Sequence, residues 1–296
     1  MSVNMNHLEV FTKVAEKMNM TEAAKALFIS QPAVSKALIQ FENTLQVKLF
    51  IRDKQNGLLL TDVGKEMLIL ARQMKEIEHK MVQLACQENK LLRGKVKIGS
   101  FPAASTNLLP AAICSFRSQY PQVTIELMEG NSNQIKQWVE DRTVEIGIVA
   151  SPFEHYDVHI LEHDSMVAII PENHPLKAER EVSLEQHKDE LIFCKGGHES
   201  AVLNTLHEQQ IPFQESFTVQ TAETLVHMVQ KNLGVGIISR FTLSSVSHSL
   251  TTKEINPRIT REIGIISHSF DEVTPAALEF VKVLSSLNTK RDRGTE

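Results

Sequence analysis

Gln31, Ser35, Lys36 and Gln40 place carboxamides, a hydroxyl and an ammonium within residues 31–40. Carboxamides and hydroxyls hydrogen-bond to base edges, and ammonium groups to phosphates. The chemistry open to this set is reading a nucleic-acid duplex, not making bonds. It needs one helix that presents these side chains together and packs its apolar side elsewhere.

Residues 21–45 predict that helix and a shorter one before it, joined by a tight turn. Thr21 is a suitable N-cap, and Ala23, Ala24, Lys25 and Ala26 are helix formers. Leu27, Phe28 and Ile29 close the first helix. Ser30 is the next N-cap, with Pro32 in the first turn, where a missing N–H costs little. Ala33, Val34, Ala37, Leu38, Phe41 and Leu45 recur at helical spacing as the buried face. An ordinary buried helix hairpin has the same local pattern. The flanks argue for helix-turn-helix. His7–Met20 supplies another amphipathic helix through Leu8, Phe11, Val14, Ala15 and Met18. Lys48–Leu60 reads as a short hairpin turning at Asn56-Gly57, a wing carrying Arg52, Lys54 and Gln55 toward phosphates or a narrow minor groove.

This order resembles the LysR-type transcriptional regulators. The resemblance rests on the run from Ala23 to Leu27, Ser30-Gln31-Pro32-Ala33-Val34-Ser35, Phe41-Glu42, Leu45, Leu49-Phe50, Arg52, and Leu60-Thr61 with Gly64. It implies a sequence-specific DNA-binding regulator whose DNA-facing residues are Thr21, Ser30, Gln31, Pro32, Ser35, Lys36, Arg52 and Lys54. Gln31, Pro32 and Ser35 would meet base edges, and Lys36, Arg52 and Lys54 phosphate. Gln46 departs from the family, which usually has glycine there. A positive φ at Gln46 would carry strain of roughly 1 kcal/mol.

The net charge of −5 is unusual for a DNA binder until the chain is divided. Residues 1–95 carry 14 Lys and Arg against 10 Asp and Glu, a net +4; residues 96–296 carry 17 against 26, a net −9. Such a balance excludes a strongly basic, non-specific binder. Cys86, Cys114 and Cys194 form no metal or disulfide pattern, and only Cys194, beside a predicted pocket loop, keeps a redox reading open. With no export signal and no membrane-length apolar run, the expected location is cytoplasmic.

From Thr61 to about Leu92 there is no proline. Val63, Met67, Leu70, Met74, Ile77, Met81 and Leu84 alternate steps of four and three, an a/d seam. The simplest partner is the same helix of a second copy, giving a homodimer on a dyad-symmetric operator.

Beyond Arg93-Gly94, strand-like segments at 96–99, 123–127, 144–149, 166–170, 191–194, 236–238 and 263–266 alternate with helix-like ones at 108–118, 132–141, 221–232 and from Thr274 onward. Alternation predicts an α/β fold with parallel sheets. The family resemblance continues through Ile98-Gly99, Leu108-Leu109-Pro110, Glu145-Ile146-Gly147-Ile148, His174-Pro175-Leu176 and Gly234-Val235-Gly236-Ile237. It implies two Rossmann-like subdomains, like a periplasmic binding protein, with a small-molecule effector between them. The resulting division is a winged helix-turn-helix over 1–60, a linker and dimerisation helix over 61–93, and an effector-binding domain over 94–296. Within the last, subdomain one spans about 94–163 and 267–296, and subdomain two about 164–266. Mapped residues for the effector are Ser100, Phe101, Pro102, Asn131, His198 and Thr221. Short polar side chains at helix starts suit a small organic or inorganic anion, and also suit simple capping. Further partners implied by the family are a second dimer and RNA polymerase.

His159-Ile160-Leu161-Glu162-His163 fits the inverted zinc-protease pattern HxxEH. The flanking residues predict extended chain, which would hold the two imidazoles about 13 Å apart, too far for one zinc. No phosphate loop, dinucleotide fingerprint or nucleophile elbow occurs. No catalytic residue, metal or cofactor is expected. A periplasmic-type binding protein would account for the C-terminal part alone.

Overall fold

The computed structural model describes residues 3–53, 57–88, 92–195, 199–211 and 217–292. The chain divides into two compact units, Met1–Val82 and Gln83–Glu296.

The first unit opens with α1 (Met5–Lys17), α2 (Met20–Leu27) and α3 (Gln31–Leu45). Each starts on a side-chain cap: Asn4 accepts from the Asn6 amide, Asn19 from those of Thr21 and Glu22, and Ser30 from that of Ala33. Thr21 is not the α2 cap that its residue type suggests. The helix begins earlier, so Thr21 lies inside its first turn and the Asn19 carboxamide holds the open amides. Each helix closes on a left-handed residue that is not glycine: Met18 (φ 46°), Phe28 (φ 56°) and Gln46 (φ 58°). Met18 is therefore a cap and not part of the α1 core face. Phe11, Val34, Leu38 and Phe41 are buried together with Leu49 of the wing approach. The Phe11 ring lies 5.8 Å from Phe41 and 5.7 Å from Phe50. Burying each such ring contributes about 1.5–3 kcal/mol. Ala33, expected inside, is exposed, and Ala37 is half-buried. Each precedes a core residue by one position, about 100° around the helix, at or beyond the edge of the buried arc.

The wing is β1 (Phe50–Asp53) paired antiparallel with β2 (Gly57–Leu60), Asp53 opposite Gly57. Lys54, Gln55 and Asn56, which would form its tip, lie outside the described residues. Next comes α4 (Asp62–Glu88), which turns Leu68 and Ala71 into the first core. Of the predicted seam, Val63, Leu70, Met74, Ile77, Met81 and Leu84 are exposed and Met67 is partly buried.

The second unit begins with β3 (Gly94–Ser100), α5 (Pro102–Asn107), α6 (Leu109–Gln119), β4 (Val123–Glu129), α7 (Ser132–Glu140), β5 (Ile146–Ala150) and β6 (Asp157–Ile170). There follow β7 (Glu181–Ser183), β8 (Leu191–Cys194), α8 (Glu199–Glu208), β9 (Thr218–Val219), α9 (Ala222–Gln230), β10 (Val235–Ser239), α10 (Arg240–Leu243), β11 (Thr251–Asn256), β12 (Thr260–Ser267) and α11 (Pro275–Asp292). β4, β3 and β5 run parallel, as do β9, β8 and β10. The sheets are nevertheless mixed, not parallel throughout, because β12 is antiparallel to β5 and β6, and β6 is antiparallel to β10 and β11. The chain leaves the first sheet on β6 and returns on β12, and a returning strand lies opposed to its neighbour.

β6 is far longer than the expected strand at 166–170. Its residues 157–165 pair with β12, and 166–170 pair with β10 and β11. β12, expected mostly in subdomain two, joins β5 in the first sheet, so the return falls near Ile259 rather than at 267. α8 has no counterpart among the predicted helices; Val202 and Leu206 carry it onto the second sheet. α11 returns to the first subdomain, where Phe280 packs 5.3 Å from Phe116. His159 and His163 both lie in β6. His159 packs against Phe270, and no group of three or more possible metal ligands occurs among the described residues.

Candidate functional site

The start of α3 converges with the start of α2 and the edge of the wing. Gln31, Thr21 and Met20 line a groove of about 320 Å³ with Arg52, Asp53, Gly57 and Leu58. Ser30 is spent on capping, its hydroxyl accepting from the Ala33 amide. Pro32 and Lys36 are exposed, and Ser35, one turn beyond Gln31, is half-buried. Thr21, Gln31 and Arg52 are thus brought to one groove, while Pro32, Ser35 and Lys36 continue along α3. Lys54 lies outside the described residues.

A residue that sequence reasoning did not assign a role holds this arrangement. Glu42, buried on α3, accepts from the Leu49 amide at 2.9 Å, the Phe50 amide at 3.3 Å and Lys48 Nζ at 2.7 Å. Burial pushes its carboxyl upward, but the Lys48 ammonium and the two amides outweigh that and leave it below the usual glutamate range. The recognition helix is thereby tied to the first wing strand. α4 is seated on the same segment: Thr61 donates to the Lys48 carbonyl at 2.8 Å and accepts from the Gly64 amide at 2.9 Å. A Cβ on Gly64 would stand 2.3 Å from the Leu49 carbonyl oxygen, so this approach requires glycine.

In the second unit, Ser100 ends β3 beside Glu129 of β4 and Ile148 of β5, and the Gly130 amide donates to the Ser100 carbonyl. Ser100 and Asn131 therefore share the carboxyl edge of the first sheet. The Ser100 hydroxyl is buried and donates to the Phe101 carbonyl. Asn131 caps α7 in a full capping box with Gln134. Phe101 is buried, its ring edge-on to Phe241 of α10 at 6.0 Å, and Pro102 is exposed as α5 begins. Thr221 caps α9 and is exposed. It follows β9, at the matching end of the second sheet. His198 lies outside the described residues.

Two further cross-links escaped the sequence. Asn107 of α5 donates to the Phe241 carbonyl at 2.8 Å and the Ser244 hydroxyl at 3.0 Å. Arg261 on β12 pairs with Asp164 on β6, and its guanidinium also donates to Ser239. Nothing short of the tertiary pairing reveals either.

Residues 5–65 match the model for the bacterial regulatory helix-turn-helix protein, lysR family, and residues 89–288 match that for the LysR substrate binding domain. The chain belongs to the LysR family. This LysR-family chain is 63% identical to the uncharacterised HTH-type transcriptional regulator YoaU of Bacillus subtilis over 97% of its own length and 99% of that protein. It is 27% identical to the transcriptional dual regulator GltC of the same organism, over 98% and 99%. Among solved structures it resembles a full-length point variant of OxyR from Pseudomonas aeruginosa, at TM-score 0.74 and 22% identity, over 96% of this chain and 97% of that one. It also resembles CbnR in complex with its target DNA, at TM-score 0.63 and 17% identity, over 96% and 99%. As a LysR-family member the chain is a DNA-binding transcriptional regulator with a C-terminal effector-binding domain, not an enzyme. No helix among the described residues is long and apolar enough to cross a membrane.

Proposed function

We propose that this LysR-family regulator acts in the cytoplasm as a homodimer, or a dimer of dimers, on an operator with dyad symmetry. Gln31, Pro32 and Ser35 read base edges; Thr21 and Ser30 set the approach; Lys36, Arg52 and Lys54 hold phosphate. The observation that carries this reading is the convergence of Thr21, Gln31 and Arg52 on one groove beside the capped start of α3. The exposed seam on α4 supports pairing of two copies. A small organic or inorganic anion bound near Ser100, Phe101, Pro102, Asn131, His198 and Thr221 favours one arrangement of the subdomains. That preference alters half-site spacing or DNA bend, and through it the engagement of RNA polymerase.

The test is selection of random duplex DNA by the purified chain. The expected product is a dyad-symmetric site with an unread centre. A folded, dimeric protein that enriches no sequence, with or without cell-extract metabolites, overturns the reading.

A further inference from the structure

Phe28 is held in a way the fold does not use. It is 96% exposed, the most exposed large apolar side chain among the described residues. Its backbone stands at φ 56° and ψ 36°, where glycine or asparagine is the ordinary choice and most other residues are strained. Its amide closes α2 by donating to the Lys25 carbonyl, a bond that any residue but proline supplies there. Met18 and Gln46 close their helices in the same left-handed way, so what sets Phe28 apart is the solvated aromatic ring, which does not stabilise the folded state. A fully exposed ring grouped with exposed Ile29 and Pro32 at the start of the recognition helix points to a contact made outside the chain.

Its placement indicates which contact. Phe28 lies just before Ser30, the cap of α3, so it stands at the end of the recognition helix that carries Gln31. Ile29 and Pro32 are exposed beside it in sequence, extending an apolar rim. Residues 26–35, ALFISQPAVS, carry no charged side chain. Ion pairing with phosphate is therefore not available to the side chains of this stretch. In the major groove, the distinctive apolar group on a base edge is the thymine C5-methyl.

We propose that Phe28 is a specificity-determining residue that packs on the methyl of a thymine in each half-site, beside the bases read by Gln31 and Ser35. The inference rests on the DNA-reading role proposed above. It adds a contact that selects bases without releasing counterions.

The test uses the duplex recovered by the wild-type selection and the variants Phe28→Asn and Phe28→Ala in the full chain. Asparagine keeps the left-handed turn, so Phe28→Asn should melt no lower than the wild type. It should bind several-fold more weakly, with the same slope of log affinity against log salt. Replacing thymines one at a time by uracil should reveal one position per half-site where the wild type loses about fourfold per methyl. Phe28→Asn should be indifferent to uracil at that position. A recovered site that Phe28→Asn binds as the wild type does overturns this inference and leaves the wider reading standing. Equal sensitivity of both proteins to uracil overturns the thymine contact. Failure to recover any duplex overturns both readings.

Discussion

Arg261 Nε donates to Asp164 Oδ2 at 2.8 Å, with the two side chains 3% and 1% exposed, on directly opposed residues of β12 and β6. The other carboxylate oxygen accepts from the Phe241 amide at 3.0 Å, and the guanidinium reaches the Ser239 hydroxyl at 2.9 Å. One ion pair thus ties both crossing strands to α10. Arg261→Met leaves the Asp164 carboxylate buried without its cation and should cost about 3–5 kcal/mol. Adding Asp164→Asn, which keeps an acceptor for Phe241, should recover part of that loss. Urea unfolding followed by the fluorescence of Trp138 measures both; equal stability of Arg261→Met and the wild type would show the pair to be unimportant.

Glu42 should give the N-terminal unit an acid limit. Its folded carboxyl lies below the usual range, so the stability it contributes is complete above the unfolded value of about 4.3 and is lost as pH falls through the folded value. Glu42→Gln keeps an acceptor but loses the charge, and should destabilise by about 1.5–3 kcal/mol near neutrality. The difference from the wild type should vanish at low pH. Amide hydrogen exchange in α3, followed from neutrality down to the acid end of the native range, reads this. A difference that persists unchanged to the acid end contradicts it.

Gln46→Gly should stabilise the chain. Gln46 closes α3 at φ 58°, and its side chain donates only to the exposed Asn43 carbonyl. Relief of the left-handed strain, about 1 kcal/mol, exceeds the loss of one solvated bond and the extra freedom of an unfolded glycine. The urea midpoint for loss of α3 helicity should rise, and a fall would mean that the Asn43 bond outweighs the strain.

Base reading and phosphate holding should separate by mutation. Gln31→Ala should relax the choice at one base pair per half-site by about 1–3 kcal/mol. Arg52→Ala should weaken every duplex alike and lower the salt slope by about one per subunit. Selection profiles and salt titrations distinguish them. An unchanged profile for Gln31→Ala would remove it from the base-reading set.

The N-terminal unit is legible in the sequence because its signals are local. Ser30 with Pro32 announces a helix start, and Val34, Leu38 and Phe41 repeat at helical spacing within one element. Glu42 is not, since a buried carboxylate and a solvated one look alike until Leu49 and Phe50 turn their amides toward it. β6 is only half legible for a similar reason. Its apolar part, Met166–Ile170, advertises a strand, whereas His159, Glu162, His163 and Asp164 mask the remainder, and Asp164 is buried only because Arg261 arrives 97 residues later. At the expected effector positions the sequence locates strand ends, but capping and ligand contact require the same short polar residues, as Asn131 and Thr221 illustrate.

The chain passes between the two sheets of its second unit at two neighbouring places. Ser165 faces Thr260 across the strand pair, and the Met166 amide donates to the Ile259 carbonyl. Two cords laced side by side resist being pulled apart or slid past each other. The two crossings are not the sole tie, since Asn107 of α5 also holds the Phe241 carbonyl and the Ser244 hydroxyl. Any swing of one sheet against the other must therefore twist both strands together and carry or break the Asn107 contacts.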